Sequence, residues 1–157
     1  MLPDLASFLH QPLRRIVYYR PPCDANIDLN HLGTHDVGQG VELIFDMGYF
    51  FITWDTADEK GITVRIGRMV DYLTGGVFEG VSEHPDWKAL IGEPLKGLEI
   101  LLGEIILYVG EKTVFIVTAE VDRQNPEIID GMADNLVVFF SKERRARFFA
   151  QYPNIKP

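Results

Sequence analysis

The sequence predicts an α+β fold that is predominantly antiparallel β, with two meander or hairpin units and a few short helices packed on the sheet. Two stretches carry this prediction. Residues 41–54, VELIFDMGYFFITW, place apolar runs on either side of Asp46-Met47-Gly48, and glycine there supplies the positive φ that a tight hairpin needs. Residues 104–119, EIILYVGEKTVFIVTA, repeat the plan around Gly110-Glu111. Both stretches exit into acidic segments, so the chain reads as one domain, 1-157, with pseudo-repeats 36-92 and 98-152.

The elements follow in order. Leu2, Leu5, Phe8 and Leu9 fall at helical spacing and predict a short amphipathic helix that ends before Pro12. Residues 13–19 read as extended, and Pro21-Pro22 stops them. Residues 23–40 are polar and interrupted by glycines, the composition of a solvated connecting loop. Within them His31 and His35 are four apart, but Gly33 between them argues against a shared helix face, and no third ligand stands at a recognised spacing. No metal is assigned.

In the first hairpin Val41, Leu43 and Phe45 alternate with Glu42, Ile44 and Asp46. Its second strand is apolar on both faces, which predicts cover on both. Residues 55–61 are a charged turn. Ile62, Val64 and Ile66 then alternate with Thr63, Arg65 and Gly67 as a half-exposed strand. Residues 68–81 are broken by Gly75-Gly76 and Gly80 without the pattern of a phosphate loop, and they read as a mobile loop. Residues 82–92 predict a short helix with Ser82 or His84 as cap, Pro85 in the first turn and Gly92 at the end. Trp87, Leu90 and Ile91 form its buried stripe.

Leu95, Leu98, Ile100 and Leu101 lead into the second hairpin. Residues 121–135 are acidic and polar, and LVVFF at 136–140 is a last strand with a central place in a sheet. Ser141 caps a C-terminal helix with Ala146, Phe149 and Tyr152 facing inward. Lys142, Arg144, Arg145 and Arg147 form its solvated basic face.

A chain of 157 residues with 46% hydrophobic content can bury a substantial core. Its net charge of −8 disfavours nucleic acid and anionic membranes and suits a basic protein partner. Cys23 is the sole cysteine, so no intrachain disulfide forms, and the adjacent Asp24 carboxylate opposes a reactive thiolate. The N-terminus lacks a basic segment followed by a long apolar run, and no run reaches the length of a membrane span. These features predict a cytoplasmic location and no membrane contact.

The order of a strand–turn–strand ending in Ile52-Thr53-Trp54, then WKALIGEPL at 87–95, a hairpin, and DNLVVFF at 134–140 resembles small bacterial cytosolic proteins, some of them immunity-protein-like. The resemblance spans 41–140 and implies a non-catalytic protein-binding module. It carries over no catalytic residue and no cofactor.

Loops on a rigid scaffold are where binding residues concentrate. The candidate contacts for a basic partner are the carboxylates of the two acidic segments, Asp55, Asp58 and Glu59 in one, and Asp122, Glu127, Asp130 and Asp134 in the other. Two alternatives stand beside this reading. One is a small-ligand carrier with Tyr49, Phe50, Phe51, Trp54 and Phe115 around a cavity. The other is an enzyme whose site assembles from His31, His35, His84 and scattered carboxylates.

Overall fold

The structure, a computed structural model, describes residues 3–21, 33–121, 124 and 129–151. It is mostly antiparallel β. One sheet contains β1 (Arg15–Arg20), β3 (Gly40–Phe45), β4 (Gly48–Trp54), β5 (Ile62–Ile66) and β6 (Val77–Gly80), in the order β5-β4-β3-β1-β6. The other contains β2 (Thr34–Gly38), β7 (Leu95–Leu101), β8 (Glu104–Val109), β9 (Lys112–Val121) and β10 (Ile129–Phe139), in the order β2-β10-β9-β8-β7. Among the described residues two short α-helices, α1 (Pro85–Lys88) and α2 (Lys142–Gln151), accompany the sheets.

Both expected hairpins form. Phe45 pairs with Gly48 across Asp46-Met47, and Val109 pairs with Lys112 across Gly110-Glu111. Gly48 and Gly110 have φ of 148° and 57°, values that side chains disfavour. The hairpins occupy the interiors of opposite sheets. The expected pseudo-repeats differ in use: 36-92 supplies strands to both sheets, whereas the strands of 98-152 stay in one.

Strand alternation sorts the core. Leu43, Phe50 and Ile52 from one sheet meet Ile105, Leu107, Ile116 and Val138 from the other in a single buried cluster. On the opposite face of the second sheet, Ile106, Phe115, Val117, Val137 and Phe139 pack beneath Phe148 of α2. On the outer face of the first sheet, Val17, Tyr19 and Phe51 pack under Met69. The aromatic strand β4 is therefore covered on both faces, as its composition requires.

Several sequence expectations are corrected. The N-terminal helix is a 3₁₀ turn, Pro3–Phe8, with Leu5 and Phe8 buried. Residues 34–38 are a buried edge strand and no solvated loop: Val37 joins the core and His35 is fully enclosed. His31 and Cys23 lie outside the described residues. The chain then changes sheets at Gly38-Gln39-Gly40. Gly38 adopts φ of 101°, and the Gln39 N–H donates to the Tyr19 carbonyl at 3.1 Å. A corner of this kind lets one extended run serve two packed sheets.

Residues 68–76, read as part of a mobile loop, form a strap across the outer face of the first sheet, and edge strand β6 follows. The Met69 N–H donates to the buried carboxylate of Glu42 at 2.7 Å. A Cβ at Gly76 would collide with the Arg20 carbonyl and the Tyr19 ring, so glycine permits this close passage.

The C-terminal basic face is also corrected. Ser141 caps α2, accepting the Arg144 N–H at 3.1 Å, as expected. Arg144 is buried, however, and Arg145 is half-buried, whereas Ala146, placed inward by periodicity, is exposed. Phe148 is the main apolar contact, and Tyr152 lies outside the described residues. Among the described residues no helix is long and apolar enough to cross a membrane.

Candidate functional site

Among the described residues two places bring candidate functional groups together. The first is an acidic cleft where the turn between β4 and β5 approaches the second sheet. Asp58, Glu59 and Asp134 line one cleft of about 270 Å³, together with Lys60 and Thr118. It adjoins a groove of about 670 Å³ between edge strands β5 and β7, lined by Ile62, Val64, Leu98 and Ile100, with Asp58 and Glu59 again on its rim. The two sheets are tied here: the Gly103 N–H donates to the Lys60 carbonyl at 2.7 Å, and the Lys60 ammonium donates to the Ile100 carbonyl at 3.0 Å.

The acidic residues of the turn divide by role. Asp55 accepts the Ala57 N–H at 2.9 Å and lies 3.6 Å from Arg65. Asp58 accepts the Lys60 N–H at 2.8 Å. Side-chain acceptors two residues back along the chain are what hold such turns. Glu59 and Asp134 are exposed. The structure thus brings Asp58 and Glu59 of one acidic segment to Asp134 of the other. Asp122 and Glu127 lie outside the described residues. Asp130 lies in β10 opposite Glu120, and its side chain is outside the description.

The second place is a buried polar chain between the sheets. Trp87 of α1 donates its indole N–H to the Tyr18 hydroxyl at 2.6 Å. Tyr18 of β1 is 2.8 Å from His35 Nδ1, and His35 Nε2 is 3.0 Å from Asp86 Oδ2. An indole only donates and a carboxylate only accepts. The hydrogens therefore run one way: Trp87 to Tyr18, Tyr18 to His35 Nδ1, and His35 Nε2–H to Asp86. This fixes a neutral His35 with its proton on Nε2, an assignment made from the network.

Burial pushes the His35 imidazole down from 6.5 to about 4, against the opposing hydrogen bond to Asp86. Burial likewise pushes the Tyr18 phenol well above its ordinary range. Both effects disfavour the charged form.

His84 completes the group. It caps α1, with Nδ1 accepting the Asp86 N–H at 3.2 Å. Its ring centroid lies 4.3 Å from that of His35 in an edge-to-face contact. Phe140 packs against both His35 and Trp87, at centroid distances of 4.7 and 4.9 Å. The cap and the buried Trp87 were legible in Ser-Glu-His-Pro-Asp-Trp. The pairing of His35 with Asp86 was not, because 51 residues separate them.

The aromatics proposed to line a cavity do not converge. Phe50 lies in the core between the sheets, Phe51 on the outer face of the first sheet, and Phe115 beneath α2. Comparison with protein-family models, with curated proteins and with solved structures finds no match.

Proposed function

We propose that this chain is a non-catalytic protein-binding module of the immunity-protein kind, acting in the cytoplasm, that takes a cationic protein partner at the acidic cleft. The observation that carries this reading is the meeting of Asp58, Glu59 and Asp134, from segments far apart in sequence, on one cleft of a protein with net charge −8. Fixed charges on a rigid scaffold steer an oppositely charged partner and cost little reorganisation on binding. The adjoining groove adds apolar surface, which supplies the desolvated contact that exposed charges alone lack.

Affinity capture from the native host with wild-type protein and with the Glu59→Lys/Asp134→Lys variant tests the reading. The expected result is a stoichiometric basic protein held by the wild type, weakened by added salt and lost from the variant at unchanged circular dichroism. Retention of the same partner by the variant overturns the proposal.

The second reading, an enzyme with a site assembled from histidines and carboxylates, is favoured by the meeting of His35, His84 and Asp86. Its weakness is access: His35 is fully enclosed, and only Asp86 and His84 of the group keep solvent-exposed surface.

A further inference from the structure

We propose that His35, His84 and Asp86 form a binding site for a divalent first-row transition-metal ion, with zinc as the reference ion. The proposal does not rest on the acidic cleft, which lies on other elements.

Three geometric facts support it. The donor atoms of the three residues all lie within 4.8 Å of one another. His35 Nε2 is 3.0 Å and His84 Nδ1 is 3.8 Å from Asp86 Oδ2. Bonds of about 2.1 Å around a tetrahedral zinc put neighbouring ligand atoms roughly 3.4 Å apart, so small side-chain shifts would seat the ion.

The donors also come from two elements held rigidly. His35 stands on β2, while His84 and Asp86 flank the start of α1, which Trp87 anchors in the core. Finally, His35 has an outer partner. A metal-binding imidazole ordinarily donates its second N–H to an acceptor, and here the Tyr18 oxygen stands 2.8 Å from Nδ1, in place to accept once the ring proton moves to that nitrogen.

The donor set chooses the ion. Two imidazoles and one carboxylate suit zinc, cobalt or nickel, whereas magnesium and calcium prefer more oxygen ligands. Three protein donors leave a position for water or another ligand. The Asp86 and His84 side chains retain 28% and 17% exposure, so an ion arrives from their side. Binding has a defined cost within the network. The His35 proton moves from Nε2 to Nδ1 and is donated to the Tyr18 oxygen, which reverses that bond and takes from the Tyr18 O–H the acceptor it has in the metal-free network, and the Asp86 N–H loses its acceptor on His84. The site therefore binds a metal less tightly than a cage without competing hydrogen bonds.

The test uses the full chain, freed of metal with a chelator that is then removed. Zinc is titrated calorimetrically, and cobalt by its visible d–d absorption. One ion per chain is expected, with the cobalt spectrum of a four- or five-coordinate site.

The diagnostic variant is His84→Asn, whose side-chain oxygen can still cap α1 while the imidazole ligand is gone. Zinc affinity should fall by at least about tenfold, whereas His10→Gln, which alters an exposed histidine elsewhere, should leave it unchanged. Should His84→Asn not fold, zinc-dependent shifts of the wild-type His35 and His84 imidazole nitrogen resonances decide the matter. Unshifted resonances, absence of binding, or equal affinity in wild type and His84→Asn overturns the site.

Discussion

Arg145 of α2 lies across the buried carboxylate of Glu104 on β8, with Nε 2.8 Å from Oε2 and Nη2 closing the second arm on Oε1. Glu104 is fully enclosed, and the guanidinium also stacks over Phe115 and Phe149, at 4.7 and 4.5 Å. Alternation puts Glu104 on the same face as Ile106, beneath α2. This two-armed pair and the Phe148 contact hold the helix to the sheet.

Removing one arm of a buried pair leaves an uncompensated charge. Arg145→Met should therefore lower the unfolding free energy by about 3 to 5 kcal/mol, measured by urea denaturation. Glu104→Leu added to Arg145→Met should recover most of that loss, because the stranded carboxylate is gone. Equal stability of the single and double variants would mean that Glu104 is not desolvated in the way described.

The Trp87–Tyr18–His35 chain predicts a coupled loss. Tyr18→Phe strips the indole N–H of its acceptor and His35 Nδ1 of its donor. Each buried group left without a partner costs about 1 to 3 kcal/mol. In a double-mutant cycle, Trp87→Phe should cost less in the Tyr18→Phe background than in the wild type. Additive effects would show that the two groups do not share the bond.

The buried imidazole sets a pH dependence for the metal-free protein. Its folded value, about 4, is below the ordinary 6.5, so between these values the unfolded chain binds more protons than the folded one. Stability from this group is fully present above pH 6.5, falls as the pH drops towards 4, and levels off below that. The titratable groups against the ring are Tyr18 at Nδ1, Asp86, whose hydrogen bond and charge oppose the shift, and His84, which with the charge of Arg20 reinforces the dominant effect of burial. Thermal melts across this range, in chelator, should show the slope in wild type and a shallower one in His35→Gln. Parallel curves would remove His35 as its source.

The strap predicts a contrast between two glycines. Gly76→Ala forces a methyl group against the Arg20 carbonyl and the Tyr19 ring and should destabilise by about 1 to 3 kcal/mol. Gly80→Ala adds a methyl group into open space and should change stability far less. Chemical denaturation of the pair checks this, and equal effects would mean that the strap is not closely docked.

The hairpins were legible in sequence because their signals are local: apolar runs, a turn glycine and a caesura of two residues. The capped start of α1 was legible for the same reason. His35 was not, because it stands on a strand, where a four-residue histidine spacing carries no signal, and its partners are Tyr18, His84 and Asp86 from other elements. The inward turn of Arg144 and Arg145, in a basic run whose Lys142 and Arg147 are exposed, was hidden for a related cause. Arg145 is drawn inward by Glu104, a single carboxylate in an otherwise apolar strand, and nothing near Arg145 in sequence announces it. The carboxylates of the acidic segments could be read as candidates, but the meeting of Asp58 and Glu59 with Asp134 depends on how the sheets stack.

The corner at Gly38-Gln39-Gly40 has a consequence for the order in which a nascent chain can acquire this structure. Every strand of the first sheet lies within residues 15–80, so that sheet can pair while the rest is still being synthesised. Strand β2 is continuous with it through the corner, yet its partner is β10, where Thr34 meets Phe139. Until β10 emerges, β2 remains an unpaired edge beside a finished sheet, and His35 lacks its final enclosure. Because domains assemble from the N-terminus as they are made, and distant strand pairings form slowly, docking of β10 onto β2 is a late step, and until it occurs both sides of β2 are open to edge-to-edge association.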